Sequence, residues 1–279
     1  MDIDYVTAFF TGFIALLGLL QLEMLKAQWR HTQLGLIEEY RRQWDESADK
    51  FGVLVLIGRS SDEYYQLFDR EKVDFFSKRI QNTNPTERSS WALNSSRDVF
   101  VLLGDVCVKI LQGQIDIGYI YPIIGDSLLR HSRPLRVLLD SRYAAGVLEE
   151  LYEKNNKHIN IRREVQDWLI YHDGVRRRCL ILIDLLWAEA ARLEDLPPSD
   201  LKSAANAKFK TGKENRERLF RECNRLNRSK RPYLAFSLSR FLRNSEYRSL
   251  GIGIDKERLE ALEHEWTERL LRDELRVSI

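Results

Sequence analysis

Chemistry in this chain is sparse, and its clearest polar signal is basic. AKFKTGKENRERLFRECNRLNRSKRPY carries Lys208, Lys210, Lys213, Arg216, Arg218, Arg221, Arg225, Arg228, Lys230 and Arg231, opposed by Glu214, Glu217 and Glu222. Arg218, Arg221, Arg225 and Arg228 recur at helical spacing and are expected on one helix face. A guanidinium offers a planar fork to phosphate oxygens, so RNA, DNA, a nucleotide or an anionic lipid headgroup fits such a stripe. Lys213, Lys230 and Arg231 extend it. The competing reading is a solvated face, the commoner fate of a charge run. Arg176, Arg177 and Arg178 form a second, smaller cluster.

Catalytic signals are weaker. Arg258 and His264, in RLEALEH, approximate the Arg-x4–6-His spacing of helical ribonuclease dimers. Leu259 stands where those enzymes carry a polar residue, and the helix is rich in glutamate. No GxxxxGK[ST], GxGxxG or GxSxG is present. His131, between Arg130 and Arg133, reads as an exposed basic turn. His158 and His172 have no cysteine or third histidine at ligand spacing, so no metal or other cofactor is expected. Cys107, Cys179 and Cys223 are odd in number and far apart, as in a reducing compartment. The net charge of +2 supplies no global field for polyanions, so attraction must be local.

The elements that must position these groups begin with an uncharged run from Tyr5 to Leu22. A hydrocarbon core needs roughly 17–25 apolar residues, so the run is expected to span a bilayer. Asp2 and Asp4 precede it, and no small-residue cleavage site follows, unlike a signal peptide. Lys26, Arg30, Arg41 and Arg42 follow, which places the N-terminus outside and the body in the cytoplasm. Thr7, Ala8, Thr11, Gly12, Ala15 and Gly18 share an arc of about 140°, a face on which Ala8, Gly12, Ala15 and Gly18 would pack against a second copy. In a ring of such anchors, Gln21 and Glu23 would line a wet constriction; the plainer reading is an interfacial glutamate that snorkels to water.

The span is expected to run on, without a breaker, into Ala27–Asp45, where Trp29, Leu36, Ile37, Tyr40 and Trp44 form a core-facing stripe. FGVLVLI reads as a buried helical turn, and residues 81–90 as a loop. A helix over Trp91–Leu111 should stop at Gly113 in the left-handed conformation. Asp116 should cap the next helix, which runs from about Ile120 to Leu139. Further helices are expected over Ser141–Glu153 and Val165–Leu193, the latter kinked or divided at Gly174. Residues 196–200 are a linker, and Asp255 caps a last helix. With 14 glycines, 6 prolines and no sustained alternation, the chain is expected to be all-α: a transmembrane helix continuing into a cytosolic helical bundle. The expected domains are an anchor over 1–27, a helical domain over 28–198 and a basic helical subdomain over 199–279.

Three stretches carry a family resemblance: HTQLGLIEEYRRQWDES after the span, DVFVLLGDVCVKILQGQIDIGYIYPIIGDSLLRHSRPLR, and LLDSRYAAGVLEELYEK. Over roughly the first 155 residues the chain resembles a bacterial family of unknown function with a single N-terminal span and an all-helical cytosolic body. The resemblance implies bacterial origin and the inner membrane, and it brings no catalytic residues. Two functions follow as expectations. The preferred one is a non-enzymatic membrane-anchored binding or effector module, for example in bacterial defence. It would oligomerise through the anchor, with the lipid bilayer and a nucleic acid, nucleotide or anionic lipid as partners. The alternative is a membrane-tethered ribonuclease using Arg258 and His264.

Overall fold

The computed structural model describes residues 3–58, 78, 85–139, 156–193 and 215–242. Every regular element among them is helical. The elements are α1 (Ile3–Glu46), α2 (Ala48–Gly58), α3 (Pro85–Leu111), α4 (Ile117–Ile120), a π-helical turn (Tyr121–Gly125), α5 (Asp126–Arg130) and α6 (Ser132–Leu139). They continue with α7 (Asn156–Tyr171), α8 (Asp173–Leu193), α9 (215–226) and α10 (Pro232–Phe241). The chain divides into two compact units, Met1–Arg42 and Gln43–Ile279.

In the first unit the expected unbroken helix is present. Phe13, Ile14, Leu16, Leu17, Leu20, Leu22, Met24 and Leu25 are all exposed. At 100° per residue they leave only part of the circumference free of large apolar groups. Ile37 and Tyr40 are buried, as the stripe required, but Trp29 is exposed. Glu38, Glu39, Arg41 and Arg42 pair along the helix itself. Among the described residues no helix is long and apolar enough to cross a membrane. The side chains of residues 3–10, 12, 15 and 19, much of the uncharged run, lie outside the described residues.

The second unit is built on α3 and α8. Phe100, Leu103, Val106 and Ile110 of α3, with Leu182, Ile183 and Leu186 of α8, are fully or almost fully buried. α2 packs on α3 and α6, and α7 on α3. FGVLVLI is indeed helical, although valine and isoleucine disfavour helix intrinsically; burial on nearly every side overrides that preference. Gly58 ends α2 against α6: a Cβ there would fall 2.2 Å from the Pro134 oxygen. The buried Arg162 of α7 donates Nε and Nη2 to the Ile57 carbonyl, at 2.9 and 2.7 Å, and so satisfies the carboxyl end of α2.

The expected signals at the end of α3 hold. Gly113 has φ +65°, Gly113 N–H reaches the Ile110 oxygen and Gln114 N–H the Lys109 oxygen, a Schellman stop. Asp116 accepts from Gly118 N–H and caps α4.

Other expectations are corrected. Residues 85–90 are helical, not loop: Pro85 opens α3, where its missing N–H and fixed φ do no harm. The helix expected over Ile120–Leu139 is broken. Pro122 removes a donor, the turn widens to π geometry, and the Tyr121 ring takes the place a Cβ on Gly125 would need, 2.4 Å away. A second break falls at His131. Between α7 and α8 the division lies at His172, not Gly174. His172 stacks on Trp168 at 4.3 Å, and its carbonyl accepts the first bonds of α8 from Val175 and Arg176. The helices expected over Ser141–Glu153 and from Asp255, and the linker at 196–200, lie outside the described residues.

Candidate polyanion interface

α9 buries Asn215, Leu219, Glu222 and Cys223, a spacing of three and four that sets one face inward. Arg218, Arg221 and Arg225 then follow the other side, Arg218 half-buried and the other two exposed. The spacing predicted Arg228 on the same helix face, but Arg228 is not on the helix. α9 ends at 226, and Arg228 occupies a left-handed position, φ +50°, followed by Ser229 at +57°. Ser229 N–H reaches the Asn224 oxygen at 2.8 Å, the stop that glycine usually makes.

The inward face explains where much of the charge goes. The Glu222 side chain is 1% exposed and receives three arginines. Arg178 Nε donates to Oε1 at 2.9 Å, Arg177 Nε lies 3.1 Å from Oε2, and Arg225 donates Nη2 and Nε at 2.5 and 3.1 Å. Burial by itself would raise the Glu222 carboxyl. Hydrogen bonds from Arg225 and Arg178, with the charges of Arg225 and Arg177, outweigh it and hold the group below its ordinary value. The same hydrogen bond raises Arg225. Asp173, at the start of α8, takes Arg176 and Arg177 at 3.0 and 3.2 Å. The two basic clusters of the sequence are thus brought together, and a glutamate holds them. Sequence reasoning counted Glu222 only as a counter-charge; its place among Asn215, Leu219 and Cys223 was the available signal.

Arg221 pairs with Glu217 at 3.1 Å. Arg218, Arg228 and Lys230 make no ion pair among the described residues. Arg231 donates Nη1 to the Gln112 carbonyl at 2.6 Å, while Asn227 Nδ2 and Cys223 Sγ donate to Leu111, at 2.8 and 3.3 Å. Three residues of the basic segment thereby complete the carboxyl end of α3. Lys213, Arg258 and His264 lie outside the described residues. A cleft of about 420 Å³ beside α2 and α3 is lined by Ser47, Lys50, Arg97, Asp98 and Asp105, and Lys50 closes on Asp98 at 2.5 Å.

His131 corrects the sequence reading. It is buried, not exposed, and its ring lies 5.7 Å from that of Phe51. Burial first, then the Arg130 charge, pull it down to about 4 against the opposing Asp126. The three cysteines are free and buried, and burial raises each thiol. No group of three or more metal-ligating side chains occurs among the described residues.

On α1, Gly18 has nothing within 4 Å of where a Cβ would sit. The side chains of Ala8 and Ala15, and the surroundings of Gly12, are outside the described set. Gln21 and Glu23 are exposed, and Glu23 pairs with Lys26 at 2.8 Å. Comparison with protein-family models, curated proteins and solved structures returns no match, so the family resemblance rests on the sequence pattern alone.

Proposed function

We propose that the chain is a membrane-anchored, non-enzymatic helical module, in which α1 is a single-pass anchor and the second unit a cytoplasmic body that binds a phosphate-bearing partner. The observation that carries the reading is the exposure of Phe13, Ile14, Leu16, Leu17, Leu20 and Leu22 on nearly every side of one helix. A helix apolar all round belongs in a protein core or a bilayer. The uncharged run Tyr5–Leu22 supplies the length, and the basic residues after it set the direction. Ala8, Gly12, Ala15 and Gly18 offer a face for self-association in lipid, which needs close backbone approach. In the described part of the basic segment, Arg218, Arg228 and Lys230 make no ion pair with another described residue and can serve a partner.

The test is extraction at alkaline pH with reporter fusions at both ends. Native chain is expected to stay in the membrane pellet, with a periplasm-dependent reporter active only at the N-terminal end. An Ile14→Arg, Leu17→Arg double variant should leave the pellet, because each charge near a bilayer centre costs about 2.5–3.5 kcal/mol on insertion scales. Unchanged membrane retention in that variant, or a reporter active at Ile279, would overturn the reading.

A further inference from the structure

The last described helix, α10, has two unlike sides. Ala235, and Leu242 just past its end, are buried, and Leu234 packs at the Gly113 turn, 3.1 Å from where a Cβ would sit. On the other side Tyr233 is 82% exposed and Phe236 61%. At 100° per residue, Tyr233, Phe236, Ser237 and Arg240 share that face, and all four are exposed. Just before it comes the turn Arg228–Arg231. From Asn227 to Leu242 there are four cations, Arg228, Lys230, Arg231 and Arg240, and no acidic residue.

The turn is also held in an unfavourable backbone. Arg228 and Ser229 are consecutive left-handed residues, and neither is glycine. Strain of this kind persists only where the surroundings impose it. Here Ser229 and Lys230 N–H groups bond back to Asn224 and Asn227, at 2.8 and 2.9 Å, and Arg231 is tied to the end of α3. The side chains of Arg228 and Lys230 are left exposed beside the aromatic face.

We infer that the turn 228–231 and the outer face of α10 form a second membrane contact, a basic and aromatic patch that lies on an anionic lipid surface. Aromatic bodies enter the headgroup boundary while arginine and lysine reach phosphates, the composition of interfacial helices. The patch has the charge that complements an anionic leaflet. A single-stranded nucleic acid is the less fitting occupant. Its backbone tracks a groove with aromatics along it, whereas Tyr233 and Phe236 protrude. The inference rests on the membrane reading for the presence of a bilayer, and the test separates the two.

Full-length protein with Phe236→Cys is labelled with an environment-sensitive nitrobenzoxadiazole and reconstituted into vesicles. One set is phosphatidylcholine and the other phosphatidylcholine with phosphatidylglycerol. The three native thiols are buried, which favours labelling at the new position. An Ile170→Cys label, on the exposed face of α7, is the control. In anionic vesicles the label at 236 should shift blue and be quenched by brominated lipid, while the control stays aqueous. The shift should fade with salt. Arg228→Glu with Lys230→Glu should weaken it at least about tenfold in its dependence on anionic lipid. A label at 236 that stays aqueous in anionic vesicles overturns the patch. So does one that shifts with single-stranded RNA and not with lipid. Alkaline extraction of the same vesicles judges the anchor separately, after the label has been read.

Discussion

α1 and the bundle of the second unit draw on the same apolar residue types and dispose of them in opposite ways. Leu17 and Leu20 of α1 face outward, whereas Leu182 and Leu186 of α8 are wholly buried. The charges differ as well. On α1, Glu23–Lys26 and Glu39–Arg42 pair one turn apart, at 2.8 and 2.6 Å, within a single helix. In the bundle, Glu222 joins α9 to α8, and Asp184, at 9% exposure, joins α8 to Arg136 of α6 at 2.5 Å. Pairs along one helix stabilise little beyond that helix, roughly 0.2–0.5 kcal/mol each. Pairs across helices fix which surfaces meet. The bundle buries its apolar side chains among its own helices, while Phe13, Leu17 and Leu20 of α1 stay exposed among the described residues.

The largest effect expected in the bundle comes from acid. Above pH 6.5 His131 is neutral in both states. Between 6.5 and about 4 the unfolded chain binds a proton that the folded chain does not. As pH falls through this window stability drops by about 1.4 kcal/mol per unit, ~3 kcal/mol in all, and the loss is complete below the folded value. Glu222, held below its ordinary value, adds a later loss as pH drops through its folded value. Urea unfolding of detergent-solubilised protein across this range checks it. His131→Phe should flatten the 6.5-to-4 portion alone; an unchanged slope would show that His131 is not its source.

Next comes a pair of matched substitutions. Glu222→Gln removes the carboxylate shared by three arginines. Breaking a buried pair costs about 3–5 kcal/mol, and the partly exposed arginines reduce the expectation to roughly 2–3 kcal/mol. Glu39→Gln, in an exposed pair on α1, should change unfolding by less than about 0.5 kcal/mol. Equal effects would erase the contrast between the two regions.

The smallest contrast uses glycine. Gly58→Ala drives a Cβ into the Pro134 backbone and should destabilise the bundle by about 1–3 kcal/mol. Gly35→Ala on α1 meets nothing within 4 Å, and should be neutral or raise helix stability by up to about 1 kcal/mol. Melting curves of the two variants decide it, and a loss at Gly35 would reveal a packing partner on α1.

Much of the local structure was readable in residue order. The Gly113 stop and the Asp116 cap are made by groups a few residues apart, so their chemistry lies in the sequence itself. The apolar content of FGVLVLI and the scarcity of glycine and proline gave the all-helical class for the same reason. The opening of α3 at Pro85 was missed because proline marks both a loop and a first helical position. Tertiary structure alone decided the fate of the charges. Glu222 and Arg178 are 44 residues apart, and only the docking of α9 on α8 makes one the anchor of the other. His131 became buried when α2 brought Phe51 beside it, a contact across 80 positions that no window around Arg130 contains. Charge in the sequence thus fixed how many cations stand between Arg176 and Arg231. Packing decided which are spent on carboxylates and carbonyls and which still face outward, because desolvation and hydrogen-bond geometry exist only once the helices meet.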